Sequence, residues 1–251
     1  MENPALDPTT RDAPFGVEHE PTSPHSFLDR TLDLGAVSWA TLAWVVVVAT
    51  GVAIRLTNLD VWALAPNEAQ RAYDAYALYI GRPSAPGDPL PTTAPLFLLL
   101  QSFAFFLFGV TDATARLMPA LLGLAIISLA AALRPFVGRA AALGMAGLAA
   151  VSPTLIYASR SGELEIAVAT FALLTVVAFL RIGLPDAPSS SIRRWAAVTG
   201  IAAGAFLASG PSSVSVLLAL LAGGGAALAA ERGRERTGAV ARSLAALNAT
   251  P

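Results

Sequence analysis

Long apolar runs separated by short arginine-bearing gaps set the layout of this chain. A hydrocarbon core of about 30 Å needs roughly 20 apolar residues in helical form. Residues 37–56 meet that length, with Trp39 and Trp44 early in the run and Arg55 near its end. Comparable runs cover 113–133, 140–159, 166–182, 195–209 and 214–230. The last two are rich in Gly and Ala and are separated only by Gly210-Pro211-Ser212-Ser213, which reads as a tight helical hairpin. One more run, 94–110, falls about one turn short of a span. Charge decides its place. Arg134/Arg139, Arg181/Arg193/Arg194 and Arg232/Arg234/Arg236 flank the spans and are expected on the cytoplasmic side. All three clusters share that side only if 94–110 does not cross. The pattern therefore predicts an all-α integral membrane protein of about six transmembrane helices, with both termini cytoplasmic. A long first external loop, 57–112, then carries a short helix over 67–80 and an interfacial helix over 94–110.

Composition supports lipid as the solvent. Of the 251 residues 55% are hydrophobic and only 13% charged, where soluble domains carry roughly a quarter charged residues. The net charge of −1 argues against nucleic acid as a partner. With no Cys there is no disulfide and no thiolate, whether as metal ligand or as nucleophile. The two histidines, His19 and His25, lie in the first 36 residues, so a His-based zinc site or a Ser-His-Asp triad in the membrane part is excluded. That leading stretch is Pro-rich and acidic, without the order of a secretory signal. It is expected to be a disordered cytoplasmic tail, either a plain solvated leader or a docking strand for a partner. Residues 231–251 form the second cytoplasmic tail.

Few polar groups remain on the external face. Pro66 starts and Gly81 stops the short helix, which opens on Asn67-Glu68 and carries Tyr73, Tyr76 and Tyr79 at i, i+3 and i+6. That aromatic stripe is either an interfacial belt or a platform for stacking sugars. The turn Arg160-Ser161-Gly162-Glu163-Leu164-Glu165 brings a second pair of acids to the same face. On local grounds Arg116 reads as a snorkelling side chain, and Arg160 as an ion-pair partner of Glu163 or Glu165.

The ordered set of pieces resembles the N-terminal half of the GT-C membrane glycosyltransferases, which include protein O-mannosyltransferases and aminoarabinose transferases. The pieces are Arg55-Leu56 ending the first span, Asn67-Glu68-Ala69, Phe108-Gly109-Val110, Ala115-Arg116-Leu117-Met118-Pro119, Arg134-Pro135-Phe136-Val137-Gly138-Arg139 and Ser152-Pro153-Thr154-Leu155-Ile156-Tyr157. The set looks most like a branch associated with lipid-linked sugar flipping. The resemblance implies an enzyme of the bacterial inner membrane that takes sugar from a polyprenyl-phosphate carrier on the outer face. One carboxylate removes the proton of the attacking hydroxyl. A second acid, in some members through a divalent cation, orients the acceptor or the phosphate. Arginines stabilise the departing phosphate.

Carried over by position, Glu68, Glu165 and Asn67 are the catalytic candidates, with Asn67 where the family carries Asp. Arg160, Arg116 and Tyr73 are the substrate-binding candidates, and Glu163 with Glu165 would hold any cation. Asn67 cannot accept a proton at neutral pH. Thr93-Ala94-Pro95 stands where near relatives carry His-Gly-Pro, and family enzymes have more spans than six. Two readings follow: glycosyl transfer, impaired by the amide at 67, or a non-catalytic membrane subunit built on a GT-C half-fold. The small-residue surfaces at 202–205 and 222–226 suit membrane-protein partners in the second reading. A transporter is disfavoured, since charges cluster at span ends rather than deep within them.

Overall fold

A computed structural model describes residues 39–82, 93–184 and 189–226, together with position 229. The expected tails at 1–36 and 231–251 lie outside the described residues. Within them every regular element is helical. In chain order these are α1 (Trp39–Leu56), α2 (Pro66–Tyr79), α3 (Pro95–Phe108), α4 (Asp112–Ala132), α5 (Arg134–Val137), α6 (Arg139–Val151), α7 (Pro153–Arg160), α8 (Leu164–Ile182) and α9 (Ser189–Leu207). A shorter apolar helix, α10 (Ser212–Ala226), follows. The protein is thus an all-α membrane protein.

Among the described residues three helices, α1, α4 and α8, are long and apolar enough to cross a membrane, and α6 with α7 makes a fourth if counted as one broken span. Six spans, the number expected from the sequence, exceeds these. The run 195–209 belongs to a helix that starts earlier, at Ser189, and holds Arg193 and Arg194 in its first turns. The run 140–159, expected as one helix, is bent by 56° between Val151 and Pro153. The cause is local. Proline disfavours helical geometry in the residue before it, and Ser152 is extended, at φ −60° and ψ 119°. Proline also lacks an N–H, so the carbonyl four residues back loses its partner.

That carbonyl belongs to Ala149, and a side chain takes it. Arg55, fully buried at the end of α1, donates from Nη2 to Ala149 O at 2.7 Å and from Nη1 to Ala150 O at 3.0 Å. The same device recurs at Pro119 inside α4, which frees the carbonyl of Ala115. The buried amide of Gln101 on α3 donates to it at 2.8 Å. In lipid an unpaired carbonyl costs several kcal/mol, so each proline is accommodated by one polar side chain from another helix. Room for Arg55 comes from Gly123 on α4, where a Cβ would meet Ser159 Cβ at 2.6 Å and Arg55 Nε at 2.9 Å.

The centre of the bundle is α4. Its Ile126, Ile127 and Ala130 pack with Ala146, Ala149 and Ala150 of α6 and Ile166 of α8. Nearer its start, Ala115 meets Ala72 and Ala75 of α2 and Phe105 of α3. Alanine at these contacts lets helix backbones approach closely, which gives the association energy where water cannot. Leu42, Val45 and Val46 on α1 face outward, as do Leu99, Phe103 and Phe106 on α3.

Candidate functional site

The site grows from the chain that leaves α1. Asn58 takes a left-handed φ of 54°, which Asn tolerates better than most residues, and the turn exposes the last carbonyls of α1. Arg160, closing α7, donates from Nη1 to Ile54 O and, at 3.0 Å, to Thr57 O, and from Nη2 to Asn58 O at 3.0 Å. A guanidinium is well placed there, because a helix C-terminus carries partial negative charge.

The connection then reaches α2. Glu68 stands at its third position, and Glu68 Oε2 accepts from Ala65 N–H at 3.2 Å, tying the helix start. Thr111 caps α4: its Oγ1 accepts from Thr114 N–H at 3.1 Å, and Thr114 Oγ1 accepts from Thr111 N–H at 2.9 Å. This cap sets Arg116 one turn into α4 and facing Glu68. Arg116 Nε and Nη2 grip the two Glu68 oxygens at 2.6 and 2.8 Å. Nη1 donates to Leu59 O and Trp62 O, both at 2.7 Å, and Nη2 to Ala63 O at 3.2 Å. Both side chains are buried, 8% and 4% exposed, so the pair is a closed clamp and not a snorkelling cation.

The second acidic turn comes alongside. Gly162, at φ +63°, lies against the Glu68 side chain. Arg71, one turn beyond Glu68 on α2, donates to Gly162 O at 2.7 Å and to Glu163 Oε2 at 3.1 Å. Arg160 therefore pairs with carbonyls, while Arg71 is the partner of Glu163. The spacing Glu68–Arg71, i and i+3 on one helix face, is the signal by which Arg71 could have been found in the sequence.

An open cavity of about 550 Å³ lies between these parts. Glu68, Arg116 and Arg160 line it, with Asn58, Trp62 and Tyr157. The other candidates stand apart. Asn67 is exposed and outside the cavity. Glu165 is exposed in the first turn of α8, with no described partner. Tyr73 lines a second, smaller cleft of about 260 Å³ with Phe105 and Asp112. Tyr157 and Trp62, missed by sequence reasoning, leave large aromatic surfaces exposed at the cavity. Tyr157 shares a face of α7 with Arg160 at i, i+3, a spacing legible in the sequence.

Hard cations take six or more oxygen ligands, or fewer with several waters. Among the described residues no three His, Cys, Asp or Glu gather as a metal site. Glu163 faces the Arg71 guanidinium instead, and Glu165 stands exposed on the first turn of α8.

Residues 91–249, from before α3 onward, match the family of dolichyl-phosphate-mannose-protein mannosyltransferases. The chain belongs to that family. Arg116, Arg160, Glu163 and Glu165 fall inside the match, whereas Asn67 and Glu68 precede it. Among solved structures, the fold is similar to ArnT from Cupriavidus metallidurans in the apo state, at TM-score 0.60 and 24% identity over 73% of this chain. The same protein bound to undecaprenyl phosphate gives TM-score 0.59 and 24% identity over 70% of this chain. The chain spans 37% and 35% of those two ArnT chains. Comparison with curated proteins returns no match. The architecture is that of a GT-C membrane glycosyltransferase.

Proposed function

We propose that the cavity receives the phosphate and sugar of a polyprenyl-phosphate-linked donor at the outer face of a bacterial inner membrane, and that the whole protein serves glycosyl transfer. The observation that carries this is the unequal state of the two cavity arginines. Arg116 is neutralised by Glu68, whereas Arg160, which also lines the cavity, donates to backbone carbonyls and meets no acid among the described residues. A phosphate diester suits such a group, and a volume of about 550 Å³ suits a sugar with its phosphate. Trp62 and Tyr157 offer apolar faces to the sugar or to the first isoprene units. The arginine clusters at the other end of α4 and α8 support the orientation with cytoplasmic termini.

In this reading Arg160 holds the leaving phosphate, and the acceptor hydroxyl attacks the anomeric carbon. The proton needs a carboxylate. Glu68 is the carboxylate that lines the cavity, so it takes the proton at the expense of its pairing with Arg116, whereas Glu165 stands outside. Asn67, at the start of α2, supplies no base.

Titration of the purified chain with a short-chain polyprenyl-phosphate mannose tests the binding. Arg160→Gln should weaken it at least about tenfold, as loss of a charge-assisted contact does. Equal affinity of the two proteins would sink the reading. The engaged state of Glu68 favours a second reading, a non-catalytic membrane subunit. Transfer that stays absent in Asn67→Asp while donor binding persists would select it.

A further inference from the structure

At the end of the bundle away from the cavity, arginines gather around one anchored guanidinium. Arg181, in the last turn of α8, donates from Nη2 to the carbonyl of Ala132 at the C-terminus of α4, at 2.9 Å. Its guanidinium carbon also lies 5.3 Å from the ring centroid of Trp195 on α9. A helix C-terminus and an aromatic face thus fix its direction, and Nη1 has no partner among the described residues.

The same two contacts draw other arginines together. Arg134 follows Ala132 by two residues, and Arg193 and Arg194 immediately precede Trp195. These three and Arg139 are exposed, and none meets an acid among the described residues. The segments 132–140 and 181–195 hold five Arg and one acid, Asp186, which lies outside the described residues. So many like charges at one end of a bundle call for an anion. Trp195, amphipathic and beside the arginines, suits headgroup depth. A phosphate diester offers two oxygens to a guanidinium fork, and a zwitterionic headgroup brings a cation that the arginines repel.

We propose that this end of the bundle binds the phosphate of an anionic phospholipid headgroup, with Arg181 as the fixed contact and Arg134, Arg193 and Arg194 as flexible ones. The site is separate from the donor cavity and does not depend on it.

Native mass spectrometry of the full chain in neutral detergent tests this, with phosphatidylglycerol and phosphatidylcholine offered at equal concentration. The expected result is at least about a tenfold preference for phosphatidylglycerol. Binding should fall about fivefold for each arginine removed in Arg193→Gln/Arg194→Gln, and again in Arg181→Gln. Arg193 and Arg194 are exposed, so their replacement leaves the fold intact. The paired lysine variant, Arg193→Lys/Arg194→Lys, should retain most of the binding. Arg82→Gln, after α2, should change nothing. Equal uptake of the two lipids, a preference unaltered in the glutamine variants, or an equal loss in Arg82→Gln would overturn the proposal. Displacement of the lipid by an equal concentration of inorganic phosphate would overturn it too, assigning the site to a free anion.

Discussion

Arg116 directs its guanidinium donors entirely at its own chain, two of them at Glu68 and the rest at three carbonyls of the α1–α2 connection. Removing one member of such a buried pair leaves the other charge stranded, at a cost of about 3–5 kcal/mol. Glu68→Ala and Arg116→Ala are each expected to lower the thermal midpoint in detergent markedly. The double variant should lose much less than the two losses combined, because the stranded charge is gone. Additive losses would mean that the clamp is not the main role of Glu68. The acid was legible in the sequence as an outlier in an apolar chain, but its partner was not. Arg116 lies 48 residues away, and only the cap at Thr111 turns it toward Glu68. Residue type marked the place, and tertiary pairing set its state.

The prolines act at the scale of the helix. Gln101→Leu is expected to cost about 1–3 kcal/mol, since it leaves the carbonyl of Ala115 unpaired. In a Pro119→Ala background Ala115 regains a backbone partner, and the same Gln101→Leu change should cost little. Thermal unfolding of the four proteins reads this directly, and an equal cost in both backgrounds would refute the pairing. Gly123→Val should destabilise more strongly, because its side chain would enter the space of Arg55 and Ser159. Hydrophobic periodicity made the all-helical membrane class legible, as well as the apolar runs that became α1, α4 and α8. The break at Pro153 was written in the sequence too, at Ser152-Pro153-Thr154, but the apolar residues on both sides of it read as one run. The side chain that makes the break tolerable, Arg55, read as no more than the end of a span. Local pattern shows where a helix can stop, whereas the partner that completes its carbonyls comes from almost a hundred residues away in the chain.

Across the whole molecule, the cavity end and the arginine end of α4 are about 30 Å apart, the length of a 21-residue helix. The protein has no native cysteine, so single-cysteine variants report sidedness without background. A cysteine at Trp62 should react with an impermeant maleimide from outside intact cells, and one at Arg139 only after the membrane is opened. The reverse pattern would invert the proposed orientation and move the donor cavity to the other face. The grip of Arg55 on the broken span also bears on how the chain is made. At eight residues α7 is only about 12 Å long and reaches span length only together with α6. By the time it emerges from the ribosome, α1 is already in place and presents Arg55 to the carbonyls just upstream of it. A first helix so placed can hold the broken span that carries Tyr157 and Arg160. A recombinant piece cut at residue 91, where the family match begins, would lack Arg55 as well as Asn58, Trp62 and Glu68 of the cavity wall.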